Sequence, residues 1–224
     1  MKDPTRIDDV LSVVRDAWAG QPDLTLPTLM AMAANQGIGW GSSDDELMEF
    51  LHRTAWDYPP EISPENLHSG VLITTMDKGL RISLTDAHVI VRRTPSHQTV
   101  VWQYDIFRTT SPGFPLVITD TAGIDHRLGI TERITRINDK KKVADLTRLS
   151  RENIGDSVFV ILTSSGETVT LSRRLEINST QRRSLDVTTH QWTRILSHDP
   201  FIVQLAGGNE LNLGTLTQIL LAET

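Results

Sequence analysis

The side chains best spaced for chemistry are basic. Between Arg127 and Arg151 stand eight bases, Arg127, Arg133, Arg136, Lys140, Lys141, Lys142, Arg148 and Arg151, against three acids, Glu132, Asp139 and Asp145, a net of +5. Ile134, Ile137, Val143, Leu146 and Leu149 follow a helical pattern over Thr131 to Asn153, with a kink or break expected at Asn138-Asp139. Such a helix would line up Arg133, Arg136, Lys140, Lys141, Lys142, Arg148 and Arg151 as a phosphate-contacting face. Each phosphate neutralised there releases counterions, so binding would fall with salt. Two observations weigh against nucleic acid: no aromatic side chain lies between Arg127 and Arg151 to stack on bases, and the pI of about 5.6 is low. A solvated helix face explains the same pattern, as does a helix resting on the acidic part of the chain.

Other constellations are weaker. Gly37-Ile38-Gly39-Trp40-Gly41 precedes a helix start, where backbone N–H groups can cradle phosphate. Asp44, Asp45 and Glu46 follow at once and would repel it. A dinucleotide fingerprint also needs a preceding strand where this run has a helix, so a turn is expected. The three acids suit the first turn of a helix without any magnesium ion. The seven histidines show neither H-x-x-x-H nor H-E-x-x-H spacing. Asp125-His126 and His198-Asp199 are neighbours whose side chains point apart, whereas Asp86 and His88 share a strand face and form the best local acid–base pair. A surface hydrogen bond is the simpler role for that pair. No G-x-S-x-G, S-x-x-K or Walker A sequence occurs, and with no cysteine there is neither thiol nucleophile nor Cys-ligated metal. No catalytic residue, metal site or cofactor is therefore assigned.

The elements that must position these residues fall into two charge classes. The 224 residues carry a net charge of −6, yet Met1 to Glu65 holds 12 acids against 4 bases and the remainder 16 against 18. Three prolines in Tyr58-Pro59-Pro60-Glu61-Ile62-Ser63-Pro64 support a linker over 59–66, between an acidic helical module 1–58 and a β-rich domain 67–224. In the first module, Asp3 and Pro4 open a helix whose apolar positions are Ile7, Val10, Leu11, Val14 and Trp18. A second runs from about Pro27 to Asn35, and a third begins at the capping box Ser43-Asp44-Asp45-Glu46. Trp18, Trp40 and Trp56 exceed what so small a bundle can bury, and one is expected to stay on the surface as an anchor. No apolar run reaches the length needed to span a bilayer.

From Gly70 the period changes to alternation. Strands are expected at Val71–Thr75, Leu80–Leu84, Ala87–Arg93, Thr99–Tyr104, Pro115–Thr119 and Ile124–Ile130, a meander that suggests a small barrel or sandwich. After the basic helix, Val158–Thr163 and Thr168–Ser172 form a hairpin. Arg173-Arg174 and Arg182-Arg183 flank Leu175-Glu176-Ile177-Asn178, as if blunting a strand edge. A short helix over Gln191–Ser197, a strand over Phe201–Leu205 and a final apolar stretch over Leu216–Leu221 complete the reading.

Two segments resemble known families. Arg6-Ile7, Leu11, Trp18, Pro22-Asp23-Leu24, Leu26, Leu29, Asp44-Asp45-Glu46-Leu47 and Leu51 are similar to a family of small bacterial helical proteins with no assigned activity. Leu80 to Arg93, with its Leu84-Thr85-Asp86 turn, and Trp102-Gln103-Tyr104-Asp105-Ile106 resemble bacterial pleckstrin-homology-like domains. That resemblance implies a binding or assembly module. The expectation is an α+β protein of the bacterial cytoplasm: a three-helix module, then a β-rich barrel or sandwich region with an inserted basic helix. Its function is read as non-catalytic binding or scaffolding of another protein. Nucleic-acid binding through the basic segment ranks second, and an enzyme whose residues meet only in space ranks third.

Overall fold

The computed structural model describes residues 4–85, 87–93, 98–138, 146, 149–181 and 184–224. Three helices lead: α1 (Arg6–Ala19), α2 (Leu26–Asn35) and α3 (Asp44–Asp57). Among the described residues the strands that follow are β1 (Val71–Thr75), β2 (Leu80–Leu84), β3 (His88–Arg93), β4 (Gln98–Phe107), β5 (Pro115–Asp120), β6 (Asp125–Arg136), β7 (Val158–Thr163), β8 (Thr168–Leu171), β9 (Leu175–Gln181), β10 (Ser184–His190), β11 (Trp192–His198), β12 (Phe201–Leu205), β13 (Glu210–Asn212) and β14 (Leu216–Glu223). Six of them close a barrel in the order β1-β2-β3-β4-β5-β6, and the others form a sheet β10-β9-β8-β7-β14 and a sheet β11-β12-β13. The protein is α+β, with helices first and a β-rich region after them. Two compact units alternate along the chain: Met1–Gly79 with Tyr104–Arg136, and Leu80–Gln103 with Ile137–Thr224.

In the first unit, α3 starts where its capping box dictates. The Ser43 N–H donates to the Glu46 carboxylate at 2.7 Å, and the Glu46 N–H donates to the Ser43 hydroxyl at 3.3 Å. Thr25 caps α2 by accepting the Thr28 N–H at 3.3 Å, which leaves Pro27 in the first turn where its missing N–H costs nothing. Asp3, the expected cap of α1, lies outside the described residues. Helices α1 and α3 run parallel. Arg6 at the start of α1 is ion-paired with Asp44 at the start of α3, and Gly20 just beyond α1 lies against the carbonyl of Tyr58 just beyond α3. A Cβ at position 20 would collide with that carbonyl. Ala17, Leu29 and Leu51 close the core between the helices. Within the proline-rich stretch Ile62 is fully buried and exchanges two backbone hydrogen bonds with Thr110, at 2.9 and 3.0 Å.

Strand β6 occupies the sequence where the basic helix was expected to begin. Ile130, Thr131, Ile134 and Thr135 are β-branched and favour extended backbone. Thr131 to Arg136 pair with β1, and Thr131 and Ile134 are wholly buried there. Positions 139–145, 147 and 148 lie outside the described residues, and Arg151 to Asn153 form a turn. No helix over Thr131–Asn153 is present among the described residues.

In the second unit, β7 is buried on both faces, which is why Val158-Phe159-Val160-Ile161-Leu162 is apolar without alternation. Phe159 and Ile161 join Val169, Leu171, Leu175, Ile177, Trp192 and Phe201 in the core between the two sheets. Val158 and Val160 turn the other way, onto Ile90, Leu220 and Ala222. The Ser83 hydroxyl donates to the Ala222 carbonyl at 2.6 Å, fixing β2 against β14. Strand β9 is no edge: it pairs with both β8 and β10, and Leu175, Glu176, Ile177 and Asn178 are all buried. The expected helix over Gln191–Ser197 is instead β11. Opposite Leu205 and Gln204 of β12 stand Trp192 and Arg194, so Thr193 is an inserted residue. This bulge returns Trp192 and Ile195, three apart, to the same buried face, and so copies helical spacing on a strand.

Gly20→Ala should cost about 1–3 kcal/mol by overpacking, read as an earlier midpoint in chemical denaturation. Gly39→Ala, whose Cβ would meet nothing within 4 Å, should leave the midpoint in place. The Glu46 carboxyl is held below its usual range, chiefly by the Ser43 N–H and next by the Ser43 hydroxyl. A carboxyl lowered on folding stabilises the fold above its unfolded value and loses that contribution as pH falls through the folded one. The stability difference between the natural chain and Glu46→Ala should therefore shrink below about pH 4.

Candidate functional site

Of the basic residues singled out in the sequence, Arg133, Arg136 and Arg151 are described, and the two that share a strand do not share a face. Arg133 and Arg136 lie on β6, whose period of two puts them on opposite sides, whereas on a helix three residues apart they would have been neighbours. Arg133 is exposed. Arg136 is committed internally: its guanidinium lies 4.0 Å from the centre of the Trp56 ring, and Nη1 donates to the Ser69 hydroxyl at 3.1 Å. Burial draws Arg136 below its ordinary value and Asp57 opposes that shift. Arg151 belongs to the second unit, in the turn after Ser150. Lys140, Lys141, Lys142 and Arg148 lie outside the described residues.

The other candidates resolve into structural roles. Gly37 and Gly41 have φ of 87° and 91°, conformations that favour glycine, and the Gly39 N–H donates to the Ser42 hydroxyl at 3.1 Å. The run is a turn between α2 and α3. Asp86 lies outside the described residues, and His88 is buried, its backbone N–H donating to Thr85 Oγ1 at 3.2 Å. His126 pairs across its hairpin with Asp120, Nε2 to Oδ2 at 2.7 Å, rather than with Asp125 beside it. Asp120 also accepts the Ala122 and Ile124 N–H groups, each at 2.9 Å, so this pair closes a turn. Among the described residues no three His, Asp or Glu side chains converge as metal ligands. None of the described helices is long and apolar enough to cross a membrane.

The surface that stands out is the outer side of α1. At about 100° per residue, Ile7, Leu11 and Trp18 fall within about 40° of one another. They adjoin Val13, Val14 and Ala17, which pack in the bundle. The apolar arc is therefore wider than the partner that covers it: Leu11 is 58% exposed, Ile7 49% and Trp18 38%. Trp18 is held rather than loose, because Nε1 donates to the Leu24 carbonyl at 2.6 Å. That leaves the apolar part of its ring toward water. Trp40 is fully exposed on the α2–α3 turn. It lies four residues before Asp44, the partner of Arg6, so chain reach of at most about 14 Å places it near the Ile7 end of the stripe. Asp8, Asp9, Asp16, Asp45, Glu46 and Glu49 are exposed on the same two helices.

Sequence periodicity groups Ile7, Leu11 and Trp18 with Val10 and Val14 as one apolar stripe and does not tell its covered part from its exposed part. The signal that part of it stays exposed is the width of the arc, since one packed neighbour covers roughly 100° of a helix. Trp56 is exposed as well, though its ring face is engaged by Arg136. Trp56→Ala should remove that cation–π contact and cost about 1 kcal/mol, measured by denaturation. Trp40→Ala should be silent in the same assay. Compared with protein-family models, with curated proteins and with solved structures, the chain matches none.

Proposed function

We propose that the chain is a non-catalytic protein-binding or scaffolding module of the bacterial cytoplasm, whose acidic helices receive a basic, apolar-faced segment of another protein. The observation that carries this reading is the exposed stripe Ile7, Leu11 and Trp18 on helices rich in exposed acids. Apolar side chains surrounded by one sign of charge suit an amphipathic helix of the opposite sign, which buries its apolar face and is steered by its bases. A pre-positioned tryptophan is the kind of residue that dominates such interfaces. The resemblances to small bacterial helical proteins and to pleckstrin-homology-like domains also favour binding over catalysis. Nucleic-acid binding through the basic segment is disfavoured by Arg136, which is spent on Trp56 and Ser69.

Titrating the full chain with a designed Lys/Leu amphipathic helical peptide, followed by tryptophan emission, tests the proposal. Saturable binding with a blue shift is expected, weakening as salt rises. Leu11→Asp, at an exposed position, should cost about 2 kcal/mol of binding while leaving the melting temperature unchanged. Equal binding of a Glu/Leu counterpart peptide, or undiminished binding by Leu11→Asp, would reject it.

A further inference from the structure

We propose that the second unit holds a site for a diphosphate group, in a surface depression of about 350 Å³ lined by Arg81, Arg92, Arg93, Arg173 and Arg174. A volume of this order suits one small ligand. Arg81 and Arg92 stand directly opposite each other on β2 and β3, a placement that repels unless a carboxylate intervenes. Glu223 at the end of β14 intervenes: it accepts from Arg81 Nε at 3.2 Å, from Arg81 Nη2, and from Arg92 Nη2 at 2.7 Å. One carboxylate thus orients two guanidinium groups and neutralises one.

The row continues across the strands. Arg92 is opposite Thr99 of β4, and the Thr99 hydroxyl lies 2.8 Å from that of Thr170 on β8, itself opposite Glu176 on β9. The Thr99 N–H donates to Asn178 Oδ1 at 3.1 Å, so this wall is fixed by buried polar contacts. From the β8–β9 turn come Arg173 and Arg174. Arg173 reaches Asp156 only at 3.4 Å, and among the described residues no carboxylate is paired with Arg93 or Arg174. Five guanidinium groups against Glu176 and Glu223 leave a net of +3, or +2 with Asp156 included.

The chemistry of the donors selects the ligand. A guanidinium fork satisfies a carboxylate alone, so five forks arriving from two sides call for an anion with more oxygens and more charge. A diphosphate, carrying about −3 near neutral pH, matches both. Arg92 adds an unspent donor: its side chain is 14% exposed, and its buried Nε has no hydrogen-bond partner among the described residues.

The test is calorimetric titration of the full chain with sodium pyrophosphate and with a nucleoside diphosphate, at fixed ionic strength. One-to-one binding is expected. Equal affinity for both would assign the site to the diphosphate group itself, and tighter binding of the nucleotide to a diphosphate ester. Arg93→Ala and Arg174→Ala, both at exposed positions, should each weaken binding about tenfold and together about a hundredfold, with unchanged ligand-free melting. Arg53→Ala, on α3, should have no effect. Three results would overturn the proposal: no saturable heat with either ligand, undiminished binding by the double variant, or equal displacement by sulfate. Binding of a single-stranded oligonucleotide but of neither diphosphate would overturn it too, by showing a diffuse polyanion surface.

Discussion

Strand β7 must be dry on both sides, and the second unit is built around that requirement. A strand reading Val-Phe-Val-Ile-Leu cannot border water on either face, so it needs a packed layer over each. The three-stranded sheet supplies Trp192, Phe201 and Val203 to one face, and Ile90 of β3 covers the other beside Leu220 and Ala222 of neighbouring β14. Stacking layers this way traps backbone and hydroxyl groups that must then find partners. Ser83 with Ala222, and Thr99 with Thr170 and Asn178, are those partners. Because each bond joins specific positions, they fix register as well as satisfying polarity.

Charge has a division of labour. The acids of the helices are spent partly on local order, as in the Ser43–Glu46 box and the Arg6–Asp44 pair, and the rest face water. Among the bases, Arg136 is packed on an aromatic ring, and Arg81 and Arg92 share a carboxylate. A surplus counted along the sequence therefore says little about the surface until each partner is known. The −8 of the first 65 residues stays largely on display, whereas the +5 between Arg127 and Arg151 is in part structural.

How legible the fold was depended on whether a local pattern had one interpretation. The capping box at Ser43 marks a helix start unambiguously, and the Leu80–Leu84 alternation could be nothing but a strand. Ile130, Ile134 and Ile137, like Trp192, Ile195 and Leu196, offered apolar residues at spacings of three and four. In the first, β-branched side chains and pairing with β1 prevailed over that spacing; in the second, a bulge imitated it. The candidate binding surfaces were least legible. Which half of the α1 arc is covered depends on α2 and α3, and Arg81, Arg92 and Glu223 are brought together across 142 residues of chain. No window along the sequence can reveal a cluster assembled at that distance.

The alternation of the two units along the chain has a consequence for how the protein is made. During synthesis Ser83 of the β2–β3 hairpin finds Ala222 only after another 139 residues have been added. At translation rates of about 10 residues per second, the apolar side of that hairpin waits on the order of ten seconds for its cover. The first unit closes once Arg136 has emerged, whereas the second waits for β14. The segments of the first unit are thus all present before those of the second.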